Sequence, residues 1–289
     1  MNNRIRHKNI YKQNEMLFKK LEKDIRFSFS IKNTILFEQN FSLPKNLQKN
    51  KTKSKITIID DDTLSSVQKV EKQDNICILN FASGTSPGGG YINGATAQEE
   101  DICRRSGLYP CLISQISKNF YTDNLESDYL YTDNILFSPN VLVFRDKDYN
   151  ILSNDELFSV SVITSPFANL KQLKNKLANG DIDLAMDAWF DFNNTGNIIY
   201  KLDTFEKYII KMMIRFSKIL TVAHMRGIKT LVLGAWGCGA FGNNPNHVSK
   251  LMNFVLNTKP FNYMVENIIF AIPDDNENFK IFTENLIIG

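Results

Sequence analysis

The chain has 289 residues, of which 43% are hydrophobic and 22% are charged, and its formal net charge is +3. This composition excludes a disordered chain and is sufficient for one large α/β domain, or two small ones, with a substantial core. The charge is too small to indicate a nucleic-acid-binding protein by itself.

The cysteines and histidines do not indicate a metal site. The four cysteines are widely spaced without a Cys-x-x-Cys pair, and none of the three histidines lies near one at a ligand spacing. We therefore expect reduced thiols, no metal and a cytoplasmic location. The first 20 residues are polar and basic, so we expect neither a secretory signal peptide nor a membrane-spanning segment.

The N-terminal region is predicted to form an amphipathic helix. Between Asn9 and Ile25, apolar residues recur at helical spacing. They are Ile10, Met16, Leu17, Leu21 and Ile25. We expect residues 1–30 to form a helical extension that packs on a catalytic domain of residues 31–289.

Strands and helices are predicted to alternate through the rest of the chain. The predicted strands are Thr34–Phe37, Ile56–Ile59, Ile76–Phe81, Ile135–Phe137, Val141–Phe144, Val160–Thr164, Leu231–Leu233 and Ile268–Ile272. The predicted helices are Thr63–Val70, Ala97–Ile116 with a break near Pro110, Thr204–Met225, His247–Leu256 and Phe279–Leu286. This alternation predicts an α/β sandwich with a largely parallel, buried sheet.

Two polar segments interrupt this pattern. The segment Lys45–Lys55 carries five lysines without periodicity, which favours an exposed loop over a polyanion site. The segment Lys171–Asn197 is polar apart from a short amphipathic piece at Ile182–Phe192.

A glycine-rich loop follows the strand predicted at Ile76–Phe81. Pro87 restricts the approach to the loop, and Gly88, Gly89 and Gly90 expose backbone amides to a ligand. The helix that begins after the loop adds unpaired N–H groups and the positive end of its dipole. We expect the loop to hold a phosphorylated ligand.

Two adjacent acids, Glu99 and Glu100, start that helix. Two neighbouring carboxyls in a partly dry cleft cannot both ionise easily, so one is expected to hold a proton near neutral pH. Such a group can protonate a leaving oxygen and then activate water, as in glycoside hydrolysis. The alternative is a plain acidic helix start, and Thr96 with Glu99 matches a capping box.

A second glycine loop, Gly234–Gly242, follows the strand at Leu231–Leu233 and contains Trp236 and Phe241. Its glycines permit close approach to phosphate, and an aromatic ring can pack against a ribose or a base. The alternative is a tight turn with two core aromatics. Because both loops follow strands, we expect them at one sheet edge, forming a cleft for a diphosphate.

Together these motifs resemble the bacterial-type poly(ADP-ribose) glycohydrolases, which are macrodomain-fold enzymes. The resemblance covers Asn80–Ala82, Pro87–Gly90, Gln98–Glu100, Cys103–Ser106, Ile163–Pro166 and Leu233–Asn243. It implies a three-layer α/β/α macrodomain-like sandwich with a mixed, largely parallel central sheet and an N-terminal helical extension. Phe167 departs from the small residue expected there.

The resemblance also implies roles for individual residues, with no metal or cofactor. Glu100 would be the catalytic acid and base at the glycosidic oxygen, and Glu99 would bind hydroxyls around that linkage. The expected substrate-binding residues are Asn80, Pro87, Gly88, Gly89, Gly90, Asn93, Gln98, Gly237, Cys238, Gly239, Ala240 and Phe241. Cys238 is expected to be a buried thiol rather than a nucleophile.

The implied activity is hydrolysis of the O-glycosidic ribose–ribose bond of poly(ADP-ribose), with release of ADP-ribose. One alternative is removal of a single ADP-ribose from a protein side chain or from nucleic acid, and a less favoured one is a non-catalytic ADP-ribose reader. The expected partners are ADP-ribose, poly(ADP-ribose) and ADP-ribosylated protein. Nucleic acid is expected only when ADP-ribosylated, no membrane is expected, and the protein is expected to be a monomer.

Overall fold

The computed structural model describes residues 3–41, 50–70, 75–176, 203–273 and 277–287. The strands are β1 Ile35–Phe37, β2 Lys55–Ile59, β3 Ile76–Phe81, β4 Ile135–Val143, β5 Phe158–Ser165, β6 Thr230–Leu233 and β7 Asn267–Ala271. The helices are α1 Asn3–Leu21, α2 Ile25–Lys32, α3 Thr63–Lys69, α4 Gln98–Arg105, α5 Leu108–Leu112, α6 Lys118–Glu126, α7 Leu170–Lys176, α8 Asp203–Met225, α9 Pro245–Asn257 and α10 Glu277–Asn285.

The strands form one mixed sheet in the order β1-β4-β5-β3-β6-β7-β2. The β1–β4 and β4–β5 pairs are antiparallel, and the pairs from β5 through β3, β6 and β7 to β2 are parallel. Helices α7 to α10 cover one face, and α3 to α6 cover the other, each over its own apolar cluster. The expected three-layer sandwich with a largely parallel sheet is therefore confirmed.

The alternation of side chains along the strands builds the two clusters. In β3, Cys77 and Leu79 face the α8 side, and Ile78 faces the α4 side. This is the period of two that a strand buried on both faces requires. Among the residues that the structure describes, none of the helices combines the length and apolarity that a membrane crossing requires.

The N-terminal helix packs on the domain through a different face from the one predicted. His7, Ile10 and Asn14 are buried, whereas Met16 is 60% exposed. The prediction was based on the spacing of apolar residues. The contact surface of α1 is instead partly polar, and its polar groups form hydrogen bonds with residues that are distant in sequence. The expected boundary at residue 30 falls inside α2, and the division into two parts stays a prediction.

The helix predicted at Ala97–Ile116 breaks earlier than expected. It ends at Arg105 rather than near Pro110, because Ser106 pairs with Val143 and the Gly107 N–H donates to the Leu142 carbonyl. Pro110 lies within the first turn of α5, where a missing N–H costs nothing.

The two strands predicted between 135 and 144 are one strand with a bulge. The register shifts between Ser138 and Val141, and Asn140 has a φ of 49°. An extra residue in one strand bends it without ending it.

Some predictions lie outside the described residues. They are the amphipathic piece at Ile182–Phe192, residues 177–197 of the polar segment, and residues 45–49 of the lysine segment. The helix predicted at Thr204–Met225 is confirmed as α8, and its predicted apolar face is buried.

Candidate active site

Both glycine loops lie at the carboxyl edge of the sheet, as expected. The first follows β3, the second follows β6, and these strands are parallel neighbours. The first loop leads into α4 and the second into α9, so each loop faces a helix N-terminus. A cavity of about 450 Å³ opens between them.

Residues of the second loop and of the start of α4, rather than the glycines of the first loop, line this cavity. Among the expected substrate-binding residues, those that line it are Gln98, Gly237, Gly239, Ala240 and Phe241. Pro87, Gly88, Gly89, Gly90, Asn80 and the two glutamates form an adjoining cluster on the first loop and α4. Asn93 is exposed on a 3₁₀ turn, where its carbonyl oxygen accepts from Arg4 Nε at 3.0 Å. The substrate contacts of all these residues stay predictions.

Glu99 does not cap its own helix, so the capping-box interpretation is wrong. Ala97 is the N-cap and no side chain bonds there. The Glu99 carboxylate is only 3% exposed and accepts from the Ser83 N–H at 2.7 Å and from Asn80 Nδ2 at 3.2 Å. A buried carboxylate needs donors, and the first loop provides them within reach.

Glu100 is held at one oxygen only. Its Oε1 accepts from the Gly90 N–H at 2.7 Å, whereas its Oε2 is buried and has no hydrogen-bond partner among the described residues. The side chain is 7% exposed. The bond to Oε1 therefore fixes the orientation of the carboxyl, and Oε2 is left available to bond with a ligand.

Gly89 lies directly against both carboxylates. A Cβ at this position would lie 2.6 Å from Glu100 Oε1 and 3.1 Å from Glu99 Oε2, and the residue has a φ of +56°. Glycine is therefore required here for both space and backbone conformation. The close approach brings the two acids together against the glycine loop.

We expect Gly89→Ala to destabilise the fold by more than its backbone conformation alone explains. Gly227 has a similar φ of +68° but no atom within 4 Å of a Cβ, so Gly227→Ala isolates the backbone cost. That cost is roughly 1–2 kcal/mol, and the clash at Gly89 should add roughly 1–3 kcal/mol. Urea unfolding measures the free energy of unfolding of both variants. Equal losses of this free energy would contradict the close approach of Gly89 to the two carboxylates.

Burial raises the pKa of Glu99 to about 8, and the neighbouring Glu100 acts in the same direction. The hydrogen bonds from Ser83 and Asn80 act against this rise. The raised pKa favours the protonated form of Glu99 near neutral pH, and the sharing of a proton by the two acids stays a prediction. A protonated Glu99 needs an acceptor, and Asn80 Oδ1 is buried with no hydrogen-bond partner within the described ranges. Rotation of the Asn80 amide would supply it.

Gln98 connects α4 to the end of β3. Its Oε1 accepts from the Phe81 N–H at 2.9 Å, and its Nε2 donates to the Leu79 carbonyl at 2.8 Å and to Thr63 at 3.1 Å. The last residue of β3 that pairs with β6 is Ile78, and the Gln98 side chain provides hydrogen bonds to β3 beyond that point. Gln98 therefore fixes the start of α4, where the two glutamates lie.

The second loop is built around buried aromatic rings. Trp236 is fully buried, packs edge-on against Phe167 at 4.7 Å between centroids, and donates from Nε1 to the Ser165 carbonyl at 3.1 Å. A Cβ at Gly237 would lie 2.6 Å from Phe167, which explains both the large residue at 167 and the glycine. Burial raises the pKa of the Cys238 thiol, so this cysteine is not an activated nucleophile.

Sequence reasoning missed an ion-pair network beside the cavity. Asp62 caps α3, lines the cavity and accepts from Arg105 Nη1 at 2.7 Å. Arg105 also pairs with Asp101, one turn earlier in α4, at 3.2 Å. The run Asp60–Thr63 directly after β2 carried the signal, because it combines a sheet edge with a cap residue.

The fold and the facing loops define an α/β macrodomain-like protein with a buried glutamate pair beside its cleft. The family model for the catalytic domain of microbial-type poly(ADP-ribose) glycohydrolase (PARG) matches residues 5–146. A search of curated proteins gave no match. Within the residues that the structure describes, no group of three or more His, Cys, Asp or Glu side chains is arranged to hold a metal ion.

Solved structures match nearly the whole chain. PARG from Thermomonospora curvata is 26% identical with a TM-score of 0.80, over 98% of this chain and 100% of that one. The same enzyme bound to the inhibitor ADP-HPD is 25% identical with a TM-score of 0.77, over 97% and 99%. PARG from Deinococcus radiodurans in complex with ADP-ribose is 28% identical with a TM-score of 0.73, over 90% and 96%. Over residues 5–146 the chain matches the microbial-type PARG family model, and its fold matches that of the solved bacterial PARG structures.

Proposed function

We propose that this protein is a poly(ADP-ribose) glycohydrolase that cleaves the ribose–ribose O-glycosidic bond and releases ADP-ribose. The observation that carries the proposal is the Glu100 carboxyl, with Oε1 fixed by the Gly90 N–H and Oε2 buried without a partner in the part of the chain that the structure describes. An oxygen held in this way is oriented for proton exchange with a substrate. The match to the microbial-type PARG family model and the likeness to PARG structures with ADP-ribose and ADP-HPD support the same activity.

The proposed substrate lies across both loops. Gly88, Gly89 and Gly90 line the distal ribose and diphosphate, and the second loop from Gly237 to Phe241 covers the diphosphate from the other side. Gly239 supports this arrangement because a Cβ there would meet no atom of the described residues within 4 Å. Backbone amides with open space before them suit a phosphate group.

In the proposed reaction, one proton moves out to the leaving group and returns from water. Because the raised pKa of Glu99 keeps one proton within the buried pair at neutral pH, that proton passes from Glu99 to Glu100 when substrate binds, and Glu100 Oε2 delivers it to the leaving ribose oxygen while Glu99 becomes the carboxylate. The anomeric C–O bond breaks, and the Glu100 carboxylate then takes a proton from water as the oxygen of that water bonds to the anomeric carbon. Glu99 and Asn80 orient the hydroxyls of the distal ribose.

The test compares two substrates under one condition. Poly(ADP-ribose) and a mono-ADP-ribosylated protein are incubated separately with the protein, and free ADP-ribose is quantified. We expect release from the polymer and little from the mono-modified protein. Release from the mono-modified protein alone would favour a mono-ADP-ribosyl hydrolase, and ADP-ribose binding without turnover would favour a reader.

We also propose a monomeric protein that acts in the cytoplasm on polymer or on ADP-ribosylated protein. The four cysteines are all free thiols, which supports a reducing compartment. Light scattering would test the monomer, and a fluorescent fusion would test the location.

A further inference from the structure

We infer that Asn14, on the N-terminal helix, is a positioning residue that holds the first glycine loop against the helix carrying Glu99 and Glu100. The inference rests on the proposed function. Asn14 lies outside the sheet edge where the substrate is proposed to bind, so it acts through other residues. Its burial is complete, with a side-chain exposure of 0%.

The Asn14 amide bonds to three separate segments. Its Nδ2 donates to the Tyr91 hydroxyl at 3.0 Å and to the Arg104 carbonyl at 2.8 Å. Its Oδ1 accepts from Arg145 Nε at 2.9 Å. Both N–H groups and the oxygen of the amide are thus used, and no isosteric apolar side chain could replace them.

Two of these partners lie on either side of the glutamates. Tyr91 directly follows Gly90, whose N–H donates to Glu100 Oε1. Arg104 is one turn beyond Glu100 in α4, and its Nη1 donates to the Ala95 carbonyl at 2.6 Å. Asn14 therefore links the end of the glycine loop directly to the helix that bears the acids.

A second contact fixes the same turn to α1. Arg4 Nε donates to the Asn93 carbonyl, and a Cβ at Gly94 would collide with the Arg4 carbonyl oxygen. Gly94 has a φ of +76°, so it is restricted to glycine by conformation as well as space. The turn after the glycine loop is therefore packed closely against α1.

Removing the Asn14 bonds should let the Gly90 N–H move relative to Glu100. A misplacement of about 1 Å can cost on the order of a hundredfold in rate, so we expect kcat on poly(ADP-ribose) to fall about tenfold or more in Asn14→Leu. KM should change less than kcat, because the second loop contributes much of the cavity lining and is not among the partners of the Asn14 amide.

The matched control is Ile10→Ala, a buried apolar position one turn earlier on the same helix. It removes packing, and so lowers the melting temperature, without touching the amide network. We expect its kcat to stay within about twofold of the wild-type value. Equal losses of kcat in Asn14→Leu and Ile10→Ala would overturn the inference, because they would indicate general destabilisation.

Tyr91→Phe tests the route through the hydroxyl. It removes only the hydroxyl that accepts from Asn14 Nδ2. The loss of kcat in Tyr91→Phe should therefore be part of the loss already seen in Asn14→Leu. The double variant should therefore have about the same kcat as Asn14→Leu alone. Full additivity would mean that Asn14 does not act through Tyr91, which would contradict the inference.

Hydrogen exchange supplies a readout that does not depend on turnover. In Asn14→Leu, exchange in a peptide containing Gly88–Tyr91 should rise about tenfold, with a β5 peptide unchanged. No rise would overturn the inference even if the wild-type enzyme cleaves polymer. If the wild-type protein fails on polymer but the exchange rises as expected, the proposed function fails and the positioning of the loop by Asn14 stands.

Discussion

Replacing Glu100 by glutamine is expected to lower turnover of poly(ADP-ribose) by roughly 10²–10⁴-fold while leaving the fold intact. Glutamine can still accept from the Gly90 N–H through its oxygen, so the side chain keeps its orientation. The position of Oε2 would then carry an NH₂ group, which cannot give a proton to the leaving oxygen or take one from water. The measurement is the initial rate of ADP-ribose release from polymer.

The same Glu→Gln change at Glu126 is the control, because this residue is exposed on α6. Glu126→Gln should keep the full rate. ADP-ribose binding by Glu100→Gln, measured by calorimetry, should stay within a few-fold of the wild-type affinity, because proton exchange at Oε2 acts on the reaction rather than on the bound product. A Glu100→Gln rate within threefold of wild type would rule out Glu100 as the acid.

Local patterns predicted the frame of the site correctly. Apolar spacing found α8, and buried apolar runs found β3 and β6. Because each glycine loop lies between a strand and a helix, the rule for open α/β sheets placed both loops at one edge. These features depend on residues that are close in sequence, which is why one sequence was enough to predict them.

Contacts between distant residues account for what the sequence missed. The buried face of α1 is set by Asn14, whose partners Tyr91 and Arg145 are 77 and 131 residues away. Glu99 matches a capping pattern, but donors 16 and 19 residues earlier hold it instead. In both cases a buried polar group takes the partners that the tertiary structure offers, and local spacing has no information about them.

Glu99 should make the stability of the protein depend on pH in a defined window. Its pKa rises from 4.5 to about 8 on folding, so below about pH 4.5 it is protonated in both states. Between pH 4.5 and 8 the unfolded chain ionises while the folded protein keeps its proton. The free energy of unfolding then falls by about 1.4 kcal/mol per pH unit, a loss of a few kcal/mol that is complete above pH 8.

Glu99→Gln removes this dependence, because glutamine stays neutral in both states. The variant should therefore gain stability relative to the wild type as pH rises from 5 to 8, by a few kcal/mol. Urea unfolding of both proteins at pH 5.0, 6.5 and 8.0 measures the difference between their free energies of unfolding. The titratable groups that both proteins share cancel in this difference. If the Glu99→Gln difference did not vary with pH, Glu99 would be ionised in the folded protein, and the pair would hold no proton on Glu99 at neutral pH.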